Sequence, residues 1–121
     1  MDRLLRLARR LRHPKRGCPW DLKQTIRSCR DNTLSEAREV RDAIRKGDMA
    51  NLCEELGDTL WNIVFLITLA EEQALFSADD VRRGIHRKMI HRHPHVFGKR
   101  RARSAEEALR IFNRMKRKGR T

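Results

Sequence analysis

The stretch from Leu34 to Asp58 leaves this chain little choice of fold. It reads L-S-E-A-R-E-V-R-D-A-I, breaks at Lys46-Gly47-Asp48, and resumes as M-A-N-L-C-E-E-L-G-D. Apolar residues recur at helical spacing before the break, and Asp48 is a typical helix-start residue after it. Two helices joined by so short a turn run antiparallel. Glu36 and Glu39 are three residues apart, as are Glu55 and Asp58, so each pair shares one side of its helix. The hairpin can therefore bring four carboxylates to one place. Crowded carboxylates repel unless a cation sits among them, and hard oxygen ligands suit Mg²⁺, with Mn²⁺ as a substitute.

Thr33-x-x-Glu36 also matches a capping box, which would give Glu36 an ordinary structural role. The helical wheel argues for more. With Glu36 at 0° and ~100° per residue, Ala43 lies near −20°, Val40 near +40° and Ile44 near +80°. Glu36 thus falls inside the apolar arc, and Glu39 lies on its edge at about −60°. An acid on the buried side needs a partner or a metal.

The rest of the chain also reads as helices. Leu4, Leu5, Leu7, Ala8 and Leu11 form one face of a basic first helix. His13 to Asp21 is a loop with two prolines, Gly17 and one large aromatic. That aromatic, Trp20, is either a core plug or a wall for a flat ligand. Gln24 to Arg30 suggests a short helix, and the next helix starts at Thr33. The helix capped by Asp48 runs from about Met49 to Ala74. Its second half, Leu60 to Ala70, is apolar nearly all round, which predicts burial on several sides. Glu55, Asp58 and Asn62 line one side of it, and Trp61 reads as core. Ser77-Ala-Asp-Asp80 starts a further helix ending near Arg92, on which Lys88 and Arg92 share a face. Three histidines follow at alternate positions, His91, His93 and His95. Pro94 imposes an extended turn there, so hydrogen bonding to the domain body is the better reading than a metal site. Ser104-x-x-Glu107 opens a last helix with Ala108, Leu109, Phe112 and Met115 on one side, within reach of Lys116.

The expected fold is all-α, a bundle of about five helices whose core is completed by homodimerisation. Residues 1–98 form its body, and residues 99–121 add a basic linker and the final helix of the same domain. The chain is 39% hydrophobic and 37% charged, a thin core that favours burial against a second copy. Of the net charge of +13, residues 1–23 carry +6, residues 99–121 carry +8 and residues 24–98 carry −1. Basic ends attract phosphates, whether of nucleotides, nucleic acid or lipid. No nucleic-acid-binding motif accompanies them, which argues against nucleic acid as a partner. The last five residues, Arg117 to Thr121, read as a frayed end. Three cysteines without a C-x-x-C pair, and a first helix with no signal-peptide core, point to a reduced, cytoplasmic setting. No apolar run is long enough to cross a membrane.

The run G-C-P-W-D then Q-T, followed by L-x-E-A-x-E-V-x-D-A-I, E-E-L-G-D and R-H-P-H-V-F-G, resembles the MazG-type nucleoside triphosphate pyrophosphohydrolases over nearly the whole chain. The resemblance implies an all-α bundle that dimerises or assembles further. It also implies Mg²⁺-dependent attack of water on the α-phosphorus of a nucleoside triphosphate, giving monophosphate and pyrophosphate, with non-standard nucleotides among the candidate substrates. By position, Glu36, Glu39, Glu55 and Asp58 match the catalytic metal ligands. Lys88, Arg92 and Lys116 match phosphate-binding residues. Trp20 and Phe112 would wall the base, Phe112 standing where the family commonly has Trp.

There are departures from the family pattern. Ser35 replaces the first Glu of E-E-x-x-E, a plausible general base or second-metal ligand, and a serine does neither well at neutral pH. His91 replaces an Arg, and Arg38 a more usual Tyr or Leu. Many members carry two such units in tandem, and this one resembles the first. The alternative function is therefore a catalytically weakened nucleotide-binding or assembly module.

Overall fold

The computed structural model describes residues 1–119. All the regular structure among them is helical: α1 (Asp2–Leu11), α2 (Pro19–Leu22), a 3₁₀ turn (Arg27–Cys29), α3 (Arg30–Lys46), α4 (Met49–Glu72), α5 (Ala78–Arg92), α6 (Pro94–Phe97) and α7 (Ala105–Lys118). Five of these, α1, α3, α4, α5 and α7, have ten or more residues. That agrees with the all-α class and the helix number read from periodicity. The chain forms two compact units, residues 1–78 and 79–121, which are described separately. The boundary lies at the start of α5, whereas the expected subdivision was drawn at the basic linker after residue 98.

In the first unit, α3 and α4 form the antiparallel hairpin, and α1 packs along α4. The turn works because Gly47 adopts a left-handed conformation, φ 66°, which costs glycine little. The amide N–H groups of Gly47 and Asp48 donate to the carbonyls of Ile44 and Ala43, closing α3. The Asp48 carboxylate then accepts from the amide of Asn51 at 3.1 Å, opening α4 as expected. Leu5 and Ala8 of α1 are buried, but Leu7 is half exposed, so the apolar face is narrower than the sequence suggests. On α4, Val64, Phe65 and Ile67 to Ala70 are buried, while Leu60 and Ile63 remain exposed. Cys29, Phe65 and Leu69 form a small core cluster, covered by Ile26, Trp61 and Leu66.

Three local expectations are corrected. First, α3 begins at Arg30, not at Thr33. The capping box lies earlier, at Thr25-x-x-Ser28: Ser28 donates its amide to the Thr25 hydroxyl at 3.0 Å, and Thr25 donates its amide to the Ser28 hydroxyl at 2.9 Å. The 3₁₀ turn from Arg27 then runs straight into α3. Thr33 is one turn inside the helix and bonds back to the Cys29 carbonyl at 3.3 Å. Second, Trp20 is 70% exposed and is not a core plug. Proline at the start of α2 sets a one-turn helix that leaves the indole outside. Third, α4 ends at Glu72, with Ala74 at φ 55° beyond it.

In the second unit, α6 packs on α7. Pro94 does not sustain an extended turn. It is the first residue of the one-turn helix α6, and His93 before it, at φ −122° and ψ 54°, is neither helical nor extended. Ser104 caps α7, accepting from the Glu107 amide at 3.1 Å, as expected. The buried residue of α7 is Ile111, while Leu109 is exposed. Arg117 and Lys118 are helical rather than frayed. Arg120 and Thr121 lie outside the described residues.

Candidate functional site

The hairpin geometry decides which acids meet. Glu36 and Asp58 stand eleven residues either side of Gly47, and Glu39 and Glu55 stand eight either side. Antiparallel helices closing on that turn bring equidistant residues opposite each other. The register is held next to the acids by a side-chain bond between the helices. Asn62, one turn beyond Asp58, donates its amide to the Thr33 hydroxyl, one turn before Glu36, at 2.8 Å.

Carboxylate oxygens of Glu36, Glu55 and Asp58 all lie within 4.8 Å of one another. Glu36 and Glu55 are partly buried, and Asp58 is exposed. Glu36 Oε2 is buried and has no hydrogen-bond partner. An unsatisfied buried carboxylate oxygen facing two other acids is a poor place for a lone carboxylate. It is a good place for a hard cation, so the donor set fits a divalent ion such as Mg²⁺. Glu39 is exposed and stands outside this group of three. Its charge still acts on Glu36 and Glu55.

The electrostatics follow from this crowding. Loss of water around it, then Asp58 and Glu39, pushes the Glu36 carboxyl above the ordinary carboxylate range. Glu55 is raised in the same way, by desolvation first and then by Glu39, Asp58, Glu36 and Glu54. A site that holds protons too tightly for the same reason attracts any other cation.

Glu36 and Asp58 open into a pocket walled by Trp20, Trp61 and Phe65, with the side chains of Gln24, Asn32 and Asn62 among its polar groups. Trp61 packs on Phe65 with ring centroids 6.3 Å apart, so it serves the core and the pocket together. Asn32 carries no recognisable signal in sequence, because it lies in a turn of α3 that the Thr33 start left outside the helix.

Lys88, Arg92, Lys116 and Phe112 belong to the second unit. Lys88 and Arg92 line one depression of that unit with Arg87 and His91, as their shared helix face predicts. Arg92 also lies over the Phe112 ring, its guanidinium carbon 5.6 Å from the centroid. The His93 ring meets the edge of Phe112 at 5.3 Å, and His93 Nδ1 bonds the Met89 carbonyl at 2.6 Å. Lys116 is half-buried on α7. Ser35 is exposed on α3, on a different face from Glu36.

Comparison with known proteins agrees with this geometry. The sequence profile of the MazG nucleotide pyrophosphohydrolase domain matches residues 24–97. The chain is 41% identical over 116 residues to the nucleoside triphosphate pyrophosphohydrolase of Escherichia coli K12, covering 96% of this chain and 44% of that protein. It is 40% identical over 97 residues to the nucleoside triphosphate pyrophosphohydrolase/pyrophosphatase MazG of Thermotoga maritima, covering 80% of this chain and 38% of that one. The chain thus spans less than half the length of these relatives. The crystal structure of a mazG-related protein from Thermotoga maritima superposes with a TM-score of 0.77 and 32% identity, over 97% of this chain and 99% of that one. With an acid-bearing helical hairpin, a profile match over most of its length and a superposition end to end, the chain belongs to the MazG nucleotide pyrophosphohydrolase domain family.

Proposed function

We propose that this chain is a Mg²⁺-dependent nucleoside triphosphate pyrophosphohydrolase that converts an NTP and water to an NMP and pyrophosphate, with non-standard NTPs as candidate substrates. The observation that carries the reading is the meeting of Glu36, Glu55 and Asp58 within 4.8 Å, with Glu36 Oε2 buried and unpartnered, beside an aromatic pocket. The names of the relatives support it, since those proteins are called nucleoside triphosphate pyrophosphohydrolases.

Glu36, Glu55 and Asp58 would hold the ion, with Glu39 as the fourth acid that the resemblance assigns to it. When bound there, Mg²⁺ supplies charge neutralisation to the triphosphate. Water forms the new bond to the α-phosphorus, and the bond to the bridging oxygen breaks. The family resemblance alone assigns Lys88, Arg92 and Lys116 of the second unit to the charge of the departing pyrophosphate. It likewise names Trp20 of the first unit and Phe112 of the second as the aromatics that would meet the base.

The test is product analysis after incubating the protein with the four common NTPs and a few modified ones, with and without Mg²⁺. NMP and pyrophosphate in equal amounts, dependent on the metal, are expected. Release of inorganic phosphate without pyrophosphate would sink the reading.

Ser35 favours a second reading, in which the site binds nucleotide but turns it over weakly. Under that reading Ser35→Glu raises turnover strongly. A fast unmodified protein that Ser35→Glu slows would remove it.

A homodimer is part of the proposal. Met49, Cys53, Leu56, Leu60 and Ile63 follow a four-three-four-three spacing along α4, the period of a coiled-coil seam. All five are exposed. At ~100° per residue they lie on the side of α4 away from the Glu55, Asp58 and Asn62 line. A second copy can offer the same seam, as a two-fold interface requires. Among the described residues no helix is long and apolar enough to cross a membrane; a cytoplasmic setting is part of the proposal.

A further inference from the structure

Trp20 stands at the mouth of the acid-bearing pocket but is 70% exposed. So exposed a side chain does little to anchor itself, and the segment that carries it must be held by other contacts. That segment starts with a tight turn. A Cβ on Gly17 would lie 2.3 Å from the Leu11 carbonyl and 2.5 Å from that of His13. The turn is followed by α2, a single turn of helix, and ends at Gln24. Short helices leave their last carbonyls without partners.

The Gln24 amide reaches the Asp21 carbonyl at 3.2 Å, and Arg12 adds a stronger tie from outside the segment. Its Nη1 donates to the Asp21 carbonyl at 2.6 Å and to the Gln24 carbonyl at 3.0 Å. Its other edge grips Glu72 at the far end of α4, with Nε on Oε2 at 2.9 Å and Nη2 on Oε1 at 2.7 Å. The side chain is only 13% exposed. The fork-shaped pairing with Glu72 fixes the plane of the guanidinium, and that plane aims Nη1 at both carbonyls. The Glu72 carboxylate also holds the Arg12 charge more firmly than usual, through the hydrogen bond first.

We propose that Arg12 is a positioning residue: anchored on Glu72, it clamps the carbonyls of Asp21 and Gln24 and so holds the Trp20 segment as the wall of the nucleotide pocket. The inference rests on the reading of that pocket as the nucleotide site. Arg12 touches neither the acids nor the substrate; it acts through the segment it holds. Lysine cannot replace it, because a point-like ammonium cannot grip a carboxylate side-on and reach two carbonyls in a fixed plane.

The experiment uses the full chain and begins with NTP turnover by the unmodified protein, which decides the nucleotide reading alone. Arg12→Lys, and Glu72→Gln as the second variant should Arg12→Lys fail to fold, are then compared by kinetics and by amide hydrogen exchange. The clamp predicts faster exchange confined to residues 17–25. It also predicts a KM raised roughly tenfold, as loss of ~1.4 kcal/mol of ground-state binding would give, with kcat changed less than about twofold. In a Trp20→Ala background, Arg12→Lys should raise KM no further. Faster exchange throughout α1 and α4 with a fall in kcat would overturn the proposal, making Arg12 a general strut. So would unchanged exchange and KM. Local loosening in a chain whose unmodified form hydrolyses no NTP would instead refute the nucleotide reading, and the positioning role with it.

Discussion

At the scale of single residues, the proposed chemistry and the electrostatic strain fall on the same acid cluster. Glu36→Gln and Asp58→Asn should each lower turnover by more than about a hundredfold, since even residues behind metal ligands account for losses up to that size. Far-UV circular dichroism should show both variants folded. Undiminished turnover would move the site elsewhere. The raised proton affinity of Glu36 and Glu55 also has a sign for stability. In the metal-free protein the folded state binds these protons more tightly than the unfolded chain. Their destabilising effect is therefore absent below the ordinary carboxylate value of 4.5 and sets in as pH rises through the folded values. A divalent ion acts the other way, because it needs the acids deprotonated. The rise in Tm produced by Mg²⁺ should be full near pH ~7.5 and shrink towards pH ~5. A Mg²⁺ shift of the same size at both pH values, measured by thermal melts, would separate the ion from these carboxylates.

At the scale of the element, the α3–α4 hairpin is what gathers Glu36, Glu55 and Asp58 into a candidate site. Its parts differ in what they should affect. A Cβ on Gly47 meets nothing within 4 Å, so Gly47→Ala should cost only the left-handed backbone penalty, ~1 kcal/mol. Asp48→Ala loses a helix cap and should cost about 1 kcal/mol. Thr33→Val leaves the Asn62 amide without its acceptor, also about 1 kcal/mol. Urea midpoints should therefore fall by similar amounts in the three. Turnover should not. Thr33→Val loosens the register beside Glu36 and Asp58, so it should slow the reaction more than Asp48→Ala at equal loss of stability. Equal kinetic effects would reduce the Thr33–Asn62 bond to packing.

The hairpin also shows how far the primary structure can be read. Gly47-Asp48 marks the turn, and counting equally outwards from Gly47 finds both facing acid pairs. The start of α3 is a different matter. Thr33-x-x-Glu36 and Thr25-x-x-Ser28 are both capping patterns, and local chemistry alone does not rank them. The 3₁₀ turn at Arg27, with Cys29 packed beneath it against Phe65 and Leu69, carries the helix back to the earlier one.

At the scale of the whole molecule, the α4 seam is the feature on which the proposed homodimer rests. Leu56→Lys and Leu60→Lys each place a charge in the middle of that seam, where an apolar interface would have to desolvate it. Sedimentation analysis should show the unmodified chain as a dimer and these variants as monomers at micromolar concentration. A monomeric unmodified chain would exclude the seam as an interface between copies.

Helical period, turn chemistry and acid spacing are local properties, and they were enough to specify an all-α chain, the α3–α4 hairpin and three acids that it groups, while Glu39, expected with them, stands outside. They say nothing about which neighbour a side chain meets across the fold. Trp20 has the composition of a core residue, and only the short helix after Pro19 turns it outwards. Leu7 and Leu109 fit their apolar stripes, and only the partners available leave them exposed. Arg12 looks like one more charge on a basic helix until Glu72, sixty residues away, and two carbonyls of the Trp20 segment converge on it. Contacts between residues distant in the chain carry no local signature, because any of many surfaces could satisfy the same side chain. The packed structure selects one.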